Sequence, residues 1–243
     1  MSQERTEAVV LRGVDFSETS RIVTILCPDR GRVACLAAGV RRAKSPLAAV
    51  LDTFNRVEVV YYWKDGREVQ RLGEAVLVDG YPAIKSDVEK SVFAAFPLEI
   101  AYRVAQQNEP SHRLYAVLVN GLERMAEWTG PAMVHVAWQV MQLLSAAGYE
   151  PALDWPGSPA GFAFDHGVVG ERGRADRLLS VGVYEDLCLL ARQRDRCPEV
   201  SDPQAAFNLL RGFAVRQLET EFRSLWVIDQ ILEARNRPNG GAK

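Results

Sequence analysis

At Pro82 the hydrophobic period of this chain changes, and that change limits the folds open to it. Before it, apolar and β-branched residues come in short alternating runs; after it, they recur at helical spacing. Such a chain is α+β with its strands gathered at the front, a small barrel followed by a helical domain. Thr6–Arg12, Arg21–Cys27, Arg32–Ala38, Phe54–Trp63 and a stretch within Glu68–Val78 read as five strands. Turns are marked by Pro28-Asp-Arg-Gly31 and by Lys64-Asp-Gly66, where Asp-Gly tolerates a positive φ. A short helix around Leu47–Leu51, between strands three and four, fits a Greek-key barrel of OB type. An SH3-like barrel fits the same strand run. The expected division is a barrel over residues 1–81 and a helical domain over 82–238, with a disordered tail at 239–243.

In the second part Ser86-Asp-Val-Glu89 has the form of a capping box. Val88, Val92, Phe93, Phe96, Ile100 and Val104 then form one helical stripe. Another helix is expected from Ser111 to Trp128, with Leu114, Val117, Leu118, Leu122 and Met125 inward. A third starts at Gly130-Pro131, carries Val134, Ala137, Trp138, Met141, Leu144 and Ser145, and stops at Gly148. Residues 150–175 are rich in Pro and Gly and poor in periodic apolar residues, which marks an inserted loop or small hairpin. Helical patterns resume over Val183–Arg194, from Pro203 to Glu221 with Ser201 or Asp202 as cap, and over Ser224–Arg235.

Composition removes several function classes. The 29 Lys and Arg nearly balance the 31 Asp and Glu, so the chain is not wrapped in positive charge. No apolar run reaches about 18 residues, and the charged start Met1–Glu7 is unlike a secretion signal. The four cysteines, Cys27, Cys35, Cys188 and Cys197, contain no CxxC pair, so neither a disulfide framework nor a Cys-based zinc site is expected. A reduced cytoplasmic protein, off the membrane, is the expectation. His112, His135 and His166 have no ligand-spaced partners and read as surface or hydrogen-bonded histidines. GxSxG, GxxxxGK[ST] and a GxGxxG after a strand are all missing, and Asp52, Glu58, Asp65, Glu68 and Glu74 read as solvent-facing. No catalytic constellation emerges, so the chain reads as a binding protein that needs no cofactor.

What it binds is suggested by the distribution of cations. Between Asp29 and Ser45 stand Arg30, Arg32, Arg41, Arg42 and Lys44. In an OB barrel the ligand crosses strands two and three, flanked by the one-to-two and four-to-five loops. Arg21 and Arg32 fall on those strands, Arg41, Arg42 and Lys44 follow strand three, and Lys64 and Arg67 occupy the four-to-five hairpin beside Tyr61-Tyr62-Trp63. Cations beside stackable rings suit a sequence-indifferent single-strand site. Strand alternation requires at least one of the three rings to be core.

These residues carry a resemblance. Phe16-Ser-Glu-Thr-Ser-Arg-Ile-Val23, Gly31-Arg-Val33 and Ala38-Gly-Val-Arg-Arg-Ala-Lys-Ser45 resemble the N-terminal signature of the RecO family of bacterial recombination mediators. Leu144-Ser-Ala-Ala-Gly-Tyr-Glu-Pro-Ala-Leu-Asp154 and Leu209-Leu-Arg211 are similar to its later helices. The resemblance implies an OB-fold barrel and a non-catalytic protein that binds single- and double-stranded DNA and anneals complementary strands. It also implies contact with RecR and with the acidic tail of the single-stranded-DNA-binding protein, so that RecA can load. For that tail Arg113 and Arg124 are candidates by position. Two departures stand out. Zinc-binding members carry two CxxC pairs in the insertion, where this chain has Trp155, Ser158, Gly170 and Gly173, none able to ligate zinc. Ala37-Ala38-Gly39 also lacks the Lys that many members place before the glycine.

Overall fold

A computed structural model describes residues 2–155, 160–170 and 174–236. Five strands close a barrel in the order β1-β2-β3-β5-β4: β1 Ser2–Asp15, β2 Arg21–Cys27, β3 Gly31–Ala37, β4 Arg56–Trp63 and β5 Val69–Asp79. The short helix α1 (Leu47–Val50) lies between β3 and β4, which makes this an OB fold and removes the SH3-like alternative. The long β1 does the closing. Its first half pairs with β4 and its second half with β2, with a register shift between Val10 and Arg12 where it turns the corner.

Alternation along β1 and β2 builds two cores at once. Ala8, Val10, Val23 and Ile25 point into the barrel, where they pack with Val33, Cys35, Val57, Val59, Tyr61 and Leu72. Val9, Leu11 and Leu26 point outward and are buried against the helices. Burial pushes the Cys35 thiol up to about 12 and the Cys27 thiol up to about 11, so both stay protonated and act as small apolar filler.

The second domain comprises α2 (Pro82–Lys85), α3 (Val88–Val104), α4 (His112–Glu127), α5 (Ala132–Ala146), α6 (Val181–Arg192), α7 (Pro203–Leu218) and α8 (Arg223–Asn236). The insertion between α5 and α6 is a three-stranded sheet in the order β7-β6-β8: β6 Ala160–Ala163, β7 Gly167–Val169 and β8 Arg177–Leu179. Every residue of α5 from Ala132 to Leu144 is buried, so this helix is the axis of the domain and not a one-faced surface helix. Two of its polar side chains reach neighbouring carbonyls: Gln142 Nε2 donates to Leu190 O at 2.6 Å, and Trp138 Nε1 donates to Gln193 O. Helix α4 approaches closely at Gly121, where a Cβ would lie 2.0 Å from Gln139 Nε2. Asp186 is buried yet accepts from Ser201 N, Ser201 Oγ and Asp202 N at 2.8–2.9 Å, while Asp202 caps α7 through Ala205 N.

Three expectations need correction. Asp87, not Ser86, caps α3 by accepting from Lys90 N, and Glu89 is drawn off to Arg235 of α8 instead of closing a box. Val88 is 73% exposed, because it sits in the first turn before α3 meets its neighbours. His135 is fully buried between Trp128 and Trp138, and neither ring nitrogen has a hydrogen-bond partner among the described residues. The tail expected to be disordered lies outside the described residues. Among the described residues no helix is long and apolar enough to cross a membrane.

Candidate nucleic-acid interface

Strand pairing lines up one row of side chains around the outside of the barrel. Val14 on β1 pairs with Ile22 on β2, Ile22 with Leu36 on β3, Leu36 with Arg71 on β5, and Arg71 with Tyr62 on β4. Cross-strand partners share a face. Tyr61 and Leu72, one residue along, point inward and are core, which fixes Tyr62 and Arg71 as outward. Four strand spacings separate Val14 from Tyr62, about 19 Å around the curve. Val14 and Arg71 are exposed, while Ile22, Leu36 and Tyr62 are half-buried. At the neighbouring outward positions Thr24 is buried and Leu26 packs against the helices, so the β2–β3 face is more open at this end.

Cations stand at both ends of the row. At the β1 end Arg21 Nε donates to Asp15 Oδ1 at 3.0 Å, and Arg41 Nη2 lies 3.3 Å from Asp15 Oδ2. Arg41 Nη1 also donates to Ser17 O at 2.7 Å, which ties the 39–45 segment to the β1–β2 loop. That segment turns at Gly39 (φ +72°), and it leaves Arg41, Arg42 and Lys44 exposed. Arg42 and Lys44 have no anionic partner among the described residues. Phe16, 62% exposed, stands in the same β1–β2 loop.

At the other end, Gln70 braces the β4–β5 hairpin by accepting from Lys64 N and donating to the Lys64 and Arg67 carbonyls. Lys64 and Arg67 are exposed, with Asp65 and Glu68 beside them, so the hairpin itself is charge-balanced and Arg71 makes this end positive. Of the three rings in the aromatic run, Tyr61 is core and donates to Glu4 Oε2 at 3.0 Å. Trp63 is covered by the Arg30 guanidinium 4.4 Å from its ring centroid and donates to Asp65. Burial acts to raise the Glu4 carboxyl, but hydrogen bonds from Arg30 and Tyr61 outweigh it and hold the group below its usual range.

Arg32 on β3 is engaged with the helical domain. Its guanidinium donates to Tyr102 O at 2.7 Å and lies 4.6 Å from the Tyr102 ring centroid, so it is part of the seam between the domains. The other face-bearing cation at that seam is Arg12, exposed and 4.1 Å from the same ring, with no anionic partner among the described residues. Neither Arg12 nor Arg71 belongs to a loop or to strands two and three, and only the strand register reveals them.

Two family models match the chain: "Recombination protein O N terminal" over residues 1–81 and "Recombination protein O C terminal" over residues 85–174. A relative from Myxococcus xanthus, "DNA repair protein RecO", is 30% identical over 87% of this chain and 82% of its own length. The chain belongs to the RecO family. Its likeness to the RecO of Exiguobacterium sibiricum is 29% over 94% of this chain and 97% of the relative. To that of Salinibacter ruber it is 32% over 62% of this chain, spanning 58% of the relative.

Two features carried over from RecO proteins can be set against the geometry. In the insertion, the Trp155 ring packs 4.5 Å from that of Tyr184, apolar contact in place of a thiolate. Ser158 and Gly173 lie outside the described residues. Among the described residues no group of three or more His, Cys, Asp or Glu is placed to hold a metal. Of the cations considered for an acidic tail, Arg113 donates to Ser145 Oγ at 3.1 Å and Arg124 lies 3.9 Å from Glu127. Neither lines the groove between β8, α7 and α8, which carries Arg177, Arg211 and Arg216 beside Asp202, Glu219, Glu221 and Asp229. Arg211 is paired with Asp229 there.

Proposed function

We propose that this RecO-family chain is a non-catalytic DNA repair and recombination mediator that holds single- and double-stranded DNA by its phosphates and anneals complementary strands. The observation that supports this most is the open row on the barrel, with Arg21, Arg41, Arg42 and Lys44 at one end and Lys64, Arg67 and Arg71 at the other. Annealing requires phosphate charge to be neutralised while bases stay free to find partners, and mobile surface cations do that without reading sequence. With RecR, such a protein would promote RecA loading on DNA coated by the single-stranded-DNA-binding protein, in the bacterial cytoplasm at the nucleoid. For the coat protein's acidic tail Arg113 and Arg124 are the candidate contacts, since the groove beside Arg177 and Arg216 also carries Asp202, Glu219, Glu221 and Asp229, which oppose an acidic ligand.

Substituting Arg41→Ala together with Arg42→Ala should weaken binding equally on all sequences. It should also lower the salt slope on duplex DNA by about two, one per lost phosphate contact. Strand annealing, measured with and without the cognate coat protein, should fall in the same variant. Unchanged affinity and slope would remove the site from the account. A protein-only adaptor is the competing reading, favoured by the acids Asp15, Asp65 and Glu68 among the cations. It would be supported by a labelled oligonucleotide that fails to bind micromolar protein at low salt.

A further inference from the structure

We infer that Tyr62 is the residue that lets this barrel prefer single strands over duplex, by offering its ring as a platform for one unpaired base. This rests on the DNA-binding reading above and assigns the part of it that phosphate contacts cannot supply, since phosphates are common to both forms.

The geometry that isolates Tyr62 begins with a bulge. On β4 and β5, Tyr61 pairs with Leu72 but Val60 pairs with Glu74, so Gly73 is an extra residue without a partner. The Tyr62 ring lies over that glycine: a Cβ at position 73 would fall 3.1 Å from Tyr62 Cε2 and 3.2 Å from Val60 O. A glycine at the bulge therefore leaves room for the Cε2 and Cζ atoms of the ring to come down close to the sheet backbone. Tyr62 is half-buried, which leaves part of the ring open to solvent, and its hydroxyl makes no hydrogen bond among the described residues. The flanking rings are committed elsewhere, Tyr61 to the core and Trp63 to Arg30 and Asp65. Arg71, directly across the strand pair and free of anionic partners among the described residues, is placed to meet the phosphate of a nucleotide whose base rests on Tyr62.

Chemistry then sets the selectivity. An unpaired base has an open π-face, and stacking on an aromatic ring is indifferent to which base it is. In a duplex those faces are already stacked, so the ring gains nothing. Resting the ring on Gly73 also shields a bare backbone, and the experiment separates that packing role from stacking.

Affinities for an oligo-dT strand, an abasic strand of the same length and a duplex are compared in wild type, Tyr62→Phe and Tyr62→Leu. Leu keeps apolar cover over Gly73 but has no π-face. Tyr62→Leu should bind oligo-dT about tenfold more weakly, with unchanged salt slope and unchanged duplex affinity, and Tyr62→Phe should match wild type. The wild type should bind the abasic strand about as weakly as Tyr62→Leu binds oligo-dT, a comparison that needs no variant to fold. Equal loss on strand and duplex, or no loss on oligo-dT, would overturn the assignment while leaving DNA binding intact. Failure of the wild type to bind any of the three would instead overturn the DNA-binding reading.

Discussion

Asp15 is the residue whose removal should improve binding. Its two carboxylate oxygens hold Arg21 and Arg41 at 3.0 and 3.3 Å, so one anion offsets two of the cations at the β1 end of the row. The side chains are between a third and a half exposed, which places these pairs in the regime where each adds about 0–1 kcal/mol to folding. Asp15→Asn keeps the shape and one acceptor, removes the charge and should cost little stability. Each guanidinium released to a single-strand phosphate adds about 0.7 to the salt slope, and extrapolation from 1 M to 0.1 M salt converts this to roughly fivefold in affinity. Arg41 already counts as a phosphate contact, so the one new contact is that of Arg21, which predicts binding roughly fivefold tighter at 0.1 M salt with a slope steeper by about 0.7. The assay is fluorescence anisotropy of a labelled oligo-dT titrated at several salt concentrations. An unchanged slope would mean that Arg21 does not meet phosphate. Weaker binding would mean that Asp15 orients Arg41 for the contact, which contradicts the charge argument.

The other predictions concern folding and metal content. Burial, helped by Lys90, pushes His135 from 6.5 to about 3. Above 6.5 the group is neutral in both folded and unfolded chains. As pH falls from 6.5 towards 3 only the unfolded chain takes the proton, and stability drops by about 1.4 kcal/mol per pH unit. His135→Leu should flatten that part of the stability–pH curve in urea titrations, and an unchanged curve would contradict the buried neutral assignment. Asp186→Ala should cost about 2–3 kcal/mol in chemical denaturation, because it strips acceptors from the Ser201 and Asp202 amides at the start of α7; a loss under about 0.5 kcal/mol would refute it. Metal analysis of the purified protein should find far less than one zinc per chain, and a stoichiometric ion would contradict the reading of Trp155 and Gly170.

What the sequence revealed and what it hid follow from the range of the forces involved. The hairpin turns were legible because Gly31 and Gly66 adopt positive φ locally, as Asp-Arg-Gly and Asp-Gly suggest. The switch of period at Pro82 was legible because alternation and helical spacing are one-dimensional signals. Cap choice at α3 was not, since Ser86 and Asp87 both satisfy the local pattern and only Arg235 on a distant helix decides where Glu89 goes. Nor was the all-round burial of α5, which depends on helices placed later in the chain. Among the candidate site residues, the exposed cations of the 39–45 segment and the β4–β5 hairpin could be read from loop composition. The contacts of Arg32 were hidden because its partner, Tyr102, lies 70 residues away. Arg71 and Tyr62 were not linked because their pairing depends on a bulge at Gly73, and a shift of one residue would exchange inward for outward.

Hydrogen–deuterium exchange of the full-length protein, with and without saturating oligo-dT, tests the location of the interface most directly. The account predicts slowed exchange in the β1–β2 loop, in residues 39–45 and around Tyr62 and Arg71, with little change in α5 to α8. Protection confined to the helical domain, with the barrel unaffected, would contradict it.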